Sequence, residues 1–284
     1  MKNSLIAGMA ALAILTSCEK PGRDVIFAIN DNLEFRISDI SLYDSSANIL
    51  YLKRGHSELD DIESGSFAFY DRGEPVMSGS FWPSYLSSSP TCPVVMTCPL
   101  SLQTFALKFE TWFSSDRSEI NNDRLTDLMR RNGLLHSGLS VTATAPVISG
   151  AQMSFTFTVS NKDDSGLLIL DPEKTGPGLF RYFTNGLYLY NPDNGNEVFA
   201  DNIPHVAPDP WNSWSMDWLT ELDPGESRTF TFTYTPVTMP APGEYKVMFR
   251  FPGLSHQVSE GDLYQGESRI WLGGILFCHE MTIL

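Results

Sequence analysis

Ser154-Phe155-Thr156-Phe157-Thr158-Val159 alternates polar and apolar residues without a break, and Thr229-Phe230-Thr231-Phe232-Thr233-Tyr234 repeats the pattern. A period of two sends successive side chains to opposite faces, so each stretch predicts a strand with one apolar and one wetted face. Tyr245, Val247, Phe249 and Phe251 alternate in the same way with Lys246, Met248 and Arg250, directly after the turn Ala241-Pro242-Gly243-Glu244. Before the second threonine strand, Leu222-Asp223-Pro224-Gly225-Glu226 places proline and glycine where a type II turn needs them. Outward from these, Gly138 to Ala145, Leu167 to Leu170, Gly186 to Tyr190, Glu197 to Phe199 and Ile270 to Met281 read as further strands. Turn-separated strands with alternating faces predict an antiparallel β-sandwich over 138–284.

The preceding half is less regular. Phe35 to Leu42, Ile49 to Leu52, Phe67 to Tyr70 and Phe105 to Phe113 predict a smaller β-rich domain over 26–118. Ser84 to Pro99, rich in serine and proline, reads as a surface loop. One helix is expected in a bridging segment, 119–137: Asn121 or Asn122 can cap it, Leu125, Leu128 and Met129 form its apolar stripe, Arg130 and Arg131 suit its C-terminal end, and Gly133 stops it. The expected class is all-β, with an N-terminal β-rich domain, one short bridging helix and a C-terminal sandwich.

Composition sets the limits. The chain has 284 residues, 42% hydrophobic and 19% charged, which suits a globular protein with ample core material. Its 19 basic residues face 34 acidic ones, for a net charge of -15. That balance repels phosphate backbones and anionic headgroups, so nucleic acid is not an expected partner and purely electrostatic membrane docking is not an expected mode.

At the N-terminus, Met1-Lys2-Asn3 supplies a positive start and Leu5 to Leu15 an apolar run too short to cross a bilayer, which needs about 20 residues. Leu15-Thr16-Ser17-Cys18 follows at once and resembles the lipobox of bacterial lipoproteins. The resemblance implies that 1–17 is a cleaved signal peptide and that Cys18 becomes an acylated N-terminus linked to diacylglycerol. It also implies a lipid anchor in a cell-envelope membrane, on the periplasmic or the exposed side; several acyl chains hold without a basic patch. The alternative is an ordinary cleaved signal that happens to end near a cysteine. Residues 18–25 then form a polar tether.

Asp223-Pro224-Gly225-Glu226 with its alternating strand, followed by Pro242-Gly243-Glu244-Tyr245-Lys246-Val247, resembles immunoglobulin-like sandwich domains of exported bacterial proteins. It is also similar to the bacterial intracellular proteinase inhibitor domain and to the pro-domain of some secreted metalloendopeptidases. The resemblance implies a tyrosine corner at Tyr245, its phenol closing onto nearby backbone.

Export shapes the reading of the cysteines. Besides Cys18 there remain Cys92, Cys98 and Cys278, and three thiols cannot all pair. A Cys92–Cys98 disulfide stapling a small loop is favoured, with a bond from either to Cys278 as the alternative.

No catalytic or metal-binding motif is complete. His56, His136, His205, His256 and His279 are isolated in sequence; His279-Glu280 starts like a zinc-protease helix, but Ile283 stands where the second histidine belongs. Gly253-Leu254-Ser255-His256-Gln257 starts like a nucleophile elbow and ends on the wrong residue, and Gly176-Pro177-Gly178 lacks the third glycine of a dinucleotide loop. Asn161, Asp163 and Asp164, then Asp193, Asn194, Asn196 and Glu197, offer oxygen ligands without completing a calcium loop; they read better as a strand connection and as a hairpin turn at Asn194-Gly195. No metal or cofactor is therefore expected. Trp211, Trp214 and Trp218 follow Pro208-Asp209-Pro210 at spacings that put three indoles along one face of a short helix. They read either as a plug closing the sandwich or, with Tyr188 and Tyr190, as an aromatic platform for a sugar or peptide.

The expected function is that of a non-catalytic envelope lipoprotein binding a protein, peptide or glycan. Two alternatives stand beside it: a hydrolase using Asp60, Asp61 and Glu63 near His56, and a proteinase inhibitor presenting the Ser84 to Pro99 loop.

Overall fold

The computed structural model describes residues 24–30, 32–86, 89–90, 92–98, 100–111, 120–184, 186–195, 197–199, 206–208, 213–236 and 238–283. Among them the chain is all-β, with two helices set between strands. Cys18 and Trp211 lie outside the described residues.

The threonine strands pair as their pattern demands. Gln152–Asn161 runs antiparallel to Ser227–Tyr234, with Phe157 opposite Phe230 and Thr158 opposite Thr229. On the wet face, Thr156 and Thr231 share a hydrogen bond of 2.9 Å and Thr158 and Thr229 one of 2.8 Å. On the dry face, Phe155 and Phe157 meet Phe249 from the strand Gly243–Pro252 at ring-centroid distances of 5.0 and 4.8 Å. Two sheets thus pack face to face through aromatic rings. Gly225 adopts a φ of 79 in the Pro224-Gly225 turn, and the Glu226 amide donates to Asp223 O at 2.9 Å. Tyr245 Oη donates to Ala241 O at 3.0 Å, the closure expected of that phenol. A third C-terminal sheet is not wholly antiparallel: Leu167–Leu170 pairs antiparallel with Leu219–Leu222 but parallel with Ser268–Ile270.

In the N-terminal half, a six-stranded sheet runs in the order Leu33–Arg36, Val25–Ile29, Gly65–Asp71, Glu74–Pro83, Val94–Cys98, Glu110–Thr111. Val94–Cys98 overturns part of the loop expected at Ser84 to Pro99. It is a core strand paired parallel to Glu74–Pro83, with Val94, Val95 and Met96 buried. Its β-branched residues and flanking turns outweigh the proline-rich surroundings.

The second N-terminal sheet joins the halves. It comprises Leu135–His136, Ile40–Asp44, Ile49–Leu52 and Ala106–Lys108, in that order. Leu50, Leu52 and Leu107 face the N-terminal core, whereas Ile49, Tyr51 and Ala106 face the C-terminal one. Ile49-Leu50-Tyr51-Leu52 is apolar throughout because both of its faces are covered. The stretches read as 26–118 and 138–284 therefore share an apolar layer.

The helix α1 (Asp123–Arg131) forms where its caps place it: the Asn122 side chain accepts from Leu125 N at 2.9 Å, and Gly133 takes a φ of 66 just beyond the end. It does not bridge the halves. Leu125, Leu128 and Met129 bury themselves in the N-terminal core, and Arg131 pairs with Asp71 at 2.9 Å. A second helix, α2 (Pro172–Thr184), had no counterpart in the sequence reading; Gly176, at a φ of 72, kinks it just ahead of Pro177.

One buried cation ties the layers together. Arg269, 1% exposed, donates from Nη2 to Asp44 Oδ2 at 3.0 Å and Asp163 Oδ2 at 3.4 Å, and from Nη1 to Tyr51 Oη at 3.1 Å. Its guanidinium lies 4.9 Å from the Tyr51 ring centroid. Burial pushes the Tyr51 phenol far up, more than the neighbouring cation lowers it. Asp44 Oδ1 also accepts from Ser46 N and Oγ at 3.0 and 2.6 Å, and Ser46 Oγ accepts in turn from Leu139 N at 3.0 Å. Gly138 stands against this cluster at a φ of 61; a Cβ there would come within 2.2 Å of Ser46 Oγ and 2.3 Å of Asp44 Oδ1.

Removing the guanidinium leaves two buried carboxylates without their cation. Arg269→Met is expected to lower unfolding stability by about 3–5 kcal/mol, read from urea denaturation, and adding Asp44→Asn to the same chain should recover part of the loss.

Candidate functional site

A cleft of about 390 Å³ opens where the shared sheet meets the C-terminal sheets. Its floor is backbone: a Cβ on Gly253 would lie 2.5 Å from Gly273 O, so two chain segments touch there as only glycine allows. Tyr182 and Phe183, from the last turn of α2, form one wall. Ser255 and Gln257 line another part. Lys108, at the end of its strand, and Arg250, on the outward face of Gly243–Pro252, bring two cations.

The charges do not balance. Lys108 Nζ pairs with Glu110 Oε1 at 2.6 Å, and Glu110 Oε2 accepts from Thr97 Oγ1 at 3.1 Å. Burial works to raise the Glu110 carboxyl, but the Lys108 charge and hydrogen bond, the Thr97 bond and the Arg250 charge outweigh it and hold the carboxyl below the usual range. Arg250 makes no hydrogen bond or ion pair with the described residues. One carboxylate thus faces two cations, in a protein whose net charge is -15.

Gln257 is 9% exposed, and its Oε1 accepts from Ser255 N at 2.9 Å and Ser255 Oγ at 3.0 Å. Its amide nitrogen has no partner among the described residues and is an available donor at the cleft. Burial pushes the Tyr182 phenol up.

The residues expected to form an aromatic platform divide. Trp218 ends a single 3-10 turn, Met216–Trp218, capped by Ser215; residues 213–215 are not helical, so the helical spacing expected between Trp214 and Trp218 does not hold. Both indoles are half-buried against the C-terminal core. The Trp218 ring stands 6.0 Å from Phe183, and Phe183 stands 5.1 Å from Tyr182, so an aromatic run leads from the tryptophan connection into the cleft. Tyr188 and Tyr190 pair with Met248 and Lys246, and so lie on the same outward face of that sheet as Arg250.

The other candidates fall elsewhere. Cys92, Cys98 and Cys278 are free, which overturns the Cys92–Cys98 disulfide. Cys98 is buried at the end of the strand Val94–Cys98, whereas Cys92 lies in the bend before it. Burial pushes the Cys98 thiol up. Asp60, Asp61 and Glu63 are exposed, and His56 lays its ring edge-on to Phe35 at 5.0 Å. Asn161 is committed to its turn, donating to Ser165 O at 2.8 Å and Leu222 O at 2.9 Å. Asn191 accepts from the Asp193 and Asn194 amides at 2.9 and 3.3 Å, and Gly195 takes a φ of 70, so this segment is the expected hairpin turn; Asn196 lies outside the described residues.

His136, Asp163 and Asp164 do converge, their ligand atoms within 4.8 Å of one another. A metal is poorly served there. His136 Nδ1 is hydrogen-bonded to Asp163 Oδ1 at 2.7 Å, and the other Asp163 oxygen faces Arg269. The geometry is that of a histidine extending the buried ion network to the surface.

Sequence reading missed Lys108, Arg250 and Gln257. Arg250 had the signature of any wetted strand position, and Gln257 stood out only as the residue that spoils an elbow motif. No protein-family model matches the chain, and no curated protein is similar to it.

The Asp163 hydrogen bond and charge hold the His136 imidazole above its ordinary range, outweighing its partial burial. Burial works to raise Asp163, but His136 and Arg269 together hold it below the usual carboxylate range. The histidine's contribution to stability is full below its unfolded value of about 6.5 and fades as pH rises through the higher folded value. Asp163 contributes above its unfolded value of about 3.9 and ceases to as pH falls through its lower folded value. Denaturation midpoints should therefore fall on the alkaline side of about pH 6.5, and His136→Gln should flatten that fall. Separately, thiol titration in guanidinium without reductant should detect Cys92, Cys98 and Cys278 together; a loss of two thiols that reductant restores would contradict the free state.

Proposed function

We propose that this protein is a lipid-anchored, non-catalytic lipoprotein of the bacterial cell envelope that holds a glycan in the cleft between its halves. The anchor rests on Leu15-Thr16-Ser17-Cys18 following a short apolar run. The ligand rests on one arrangement: the aromatic run Trp218, Phe183, Tyr182 ends in a cleft where the Gln257 amide offers an unused donor. Aromatic faces with a few fixed polar groups are the usual composition of a small-ligand site, and 390 Å³ falls within the range of about 300–1,000 Å³ typical of such sites.

The alternatives lose their motives. A hydrolase built on Asp60, Asp61 and Glu63 would need carboxylates gathered in a shared, desolvated cleft, and these stand exposed. An inhibitory loop over Ser84 to Pro99 would have to give up the strand Val94–Cys98 to enter a protease.

Metabolic labelling with a fatty-acid analogue, in a host that processes lipoproteins, is expected to mark the wild type in the membrane fraction. Cys18→Ala should carry no label. On a glycan array, the soluble domain should retain saccharides that an unrelated lipoprotein does not; an array without signal over that control would remove the ligand from the proposal.

A further inference from the structure

We infer that the cleft selects a saccharide carrying a carboxylate, of the hexuronate class, and that Arg250 is the residue that reads its charge. This rests on the glycan-binding reading above and narrows it to one chemistry.

An acidic protein would dissipate a positive patch simply by pairing it, as it does for Lys108 with Glu110 at 2.6 Å. Arg250 is left without such a partner at the mouth of the same cleft. Glu110 is hydrogen-bonded by Lys108 and Thr97, so it meets Arg250 only through its charge and leaves the guanidinium donors open. A neutral ligand offers that guanidinium only uncharged acceptors, whereas a carboxylate matches its planar fork of donors and accepts two parallel charge-assisted hydrogen bonds.

The remaining groups favour a sugar ring as the carrier of the acid. Tyr182 and Phe183 offer apolar ring surface to the CH face of a pyranose, and the Gln257 amide nitrogen and the Ser101 and Ser255 hydroxyls suit an array of ring hydroxyls. Gln257 is buried, and two bonds from Ser255 to its oxygen hold the amide in place before any ligand arrives.

Calorimetric titration with digalacturonate, with its neutral dimethyl ester and with an aspartyl dipeptide separates the possibilities. The wild type should bind digalacturonate at least about tenfold more tightly than the ester, the scale of one charge-assisted hydrogen bond. Arg250→Gln, at an exposed position, should lose that preference, and a urea-denaturation midpoint equal to the wild type's shows that the variant is folded. Equal affinity for acid and ester, or a preference that survives Arg250→Gln, overturns the inference and leaves glycan binding standing. A dipeptide bound as tightly as digalacturonate overturns the saccharide class. Binding of neither saccharide overturns this inference together with the assignment of the glycan to this cleft, while the acyl-labelling result decides the anchor independently.

Discussion

Arg269 is the constraint around which the two halves are arranged. Its guanidinium sits in the interior with Asp44 and Tyr51 contributed by the shared sheet and Asp163 by the connection that follows the first threonine strand. Burying such an ion is costly, and the cost is met only if every partner keeps its place. Asp44 is therefore held from a second side by Ser46, Ser46 binds the backbone at Leu139, and Gly138 keeps the space that a side chain would take. Apolar residues of similar volume in place of the whole network would serve stability about as well, whereas losing one partner alone leaves a buried charge unpaired.

That placement creates the cleft. Lys108 and Ser101 come from one half, Arg250, Tyr182 and Gln257 from the other, and the site exists only while the shared sheet is docked. The aromatic core does the complementary work. Phe155, Phe157 and Phe249 interlock two C-terminal sheets, which holds Gly243–Pro252 in place and turns Arg250 outward. Gln103 Nε2 donates across the junction to His256 O at 3.0 Å, beside the segment that carries Ser255 and Gln257. Core and cleft are thus two faces of the same strands: alternation sends phenylalanine one way and arginine the other.

The sequence by itself determined the strands whose periodicity is strict, the turns with proline and glycine in place, and the cap and stop of α1, because these depend on residues a few positions apart. Asn122 and Gly133 act on their own helix, and Thr156 faces away from Phe157 wherever the strand lies. Tertiary structure alone decided the rest. Val94–Cys98 became a core strand because a neighbouring strand was there to pair with it, and α1 covered one core instead of spanning two because the apolar face it needed was on that side. Lys162 to Gly166 looked like a connection and is one, yet it delivers Asp163 to an arginine more than a hundred residues away in the chain. Charge pairing across such distances leaves no local trace, since the energy of a buried ion belongs to its surroundings and not to its neighbours in sequence.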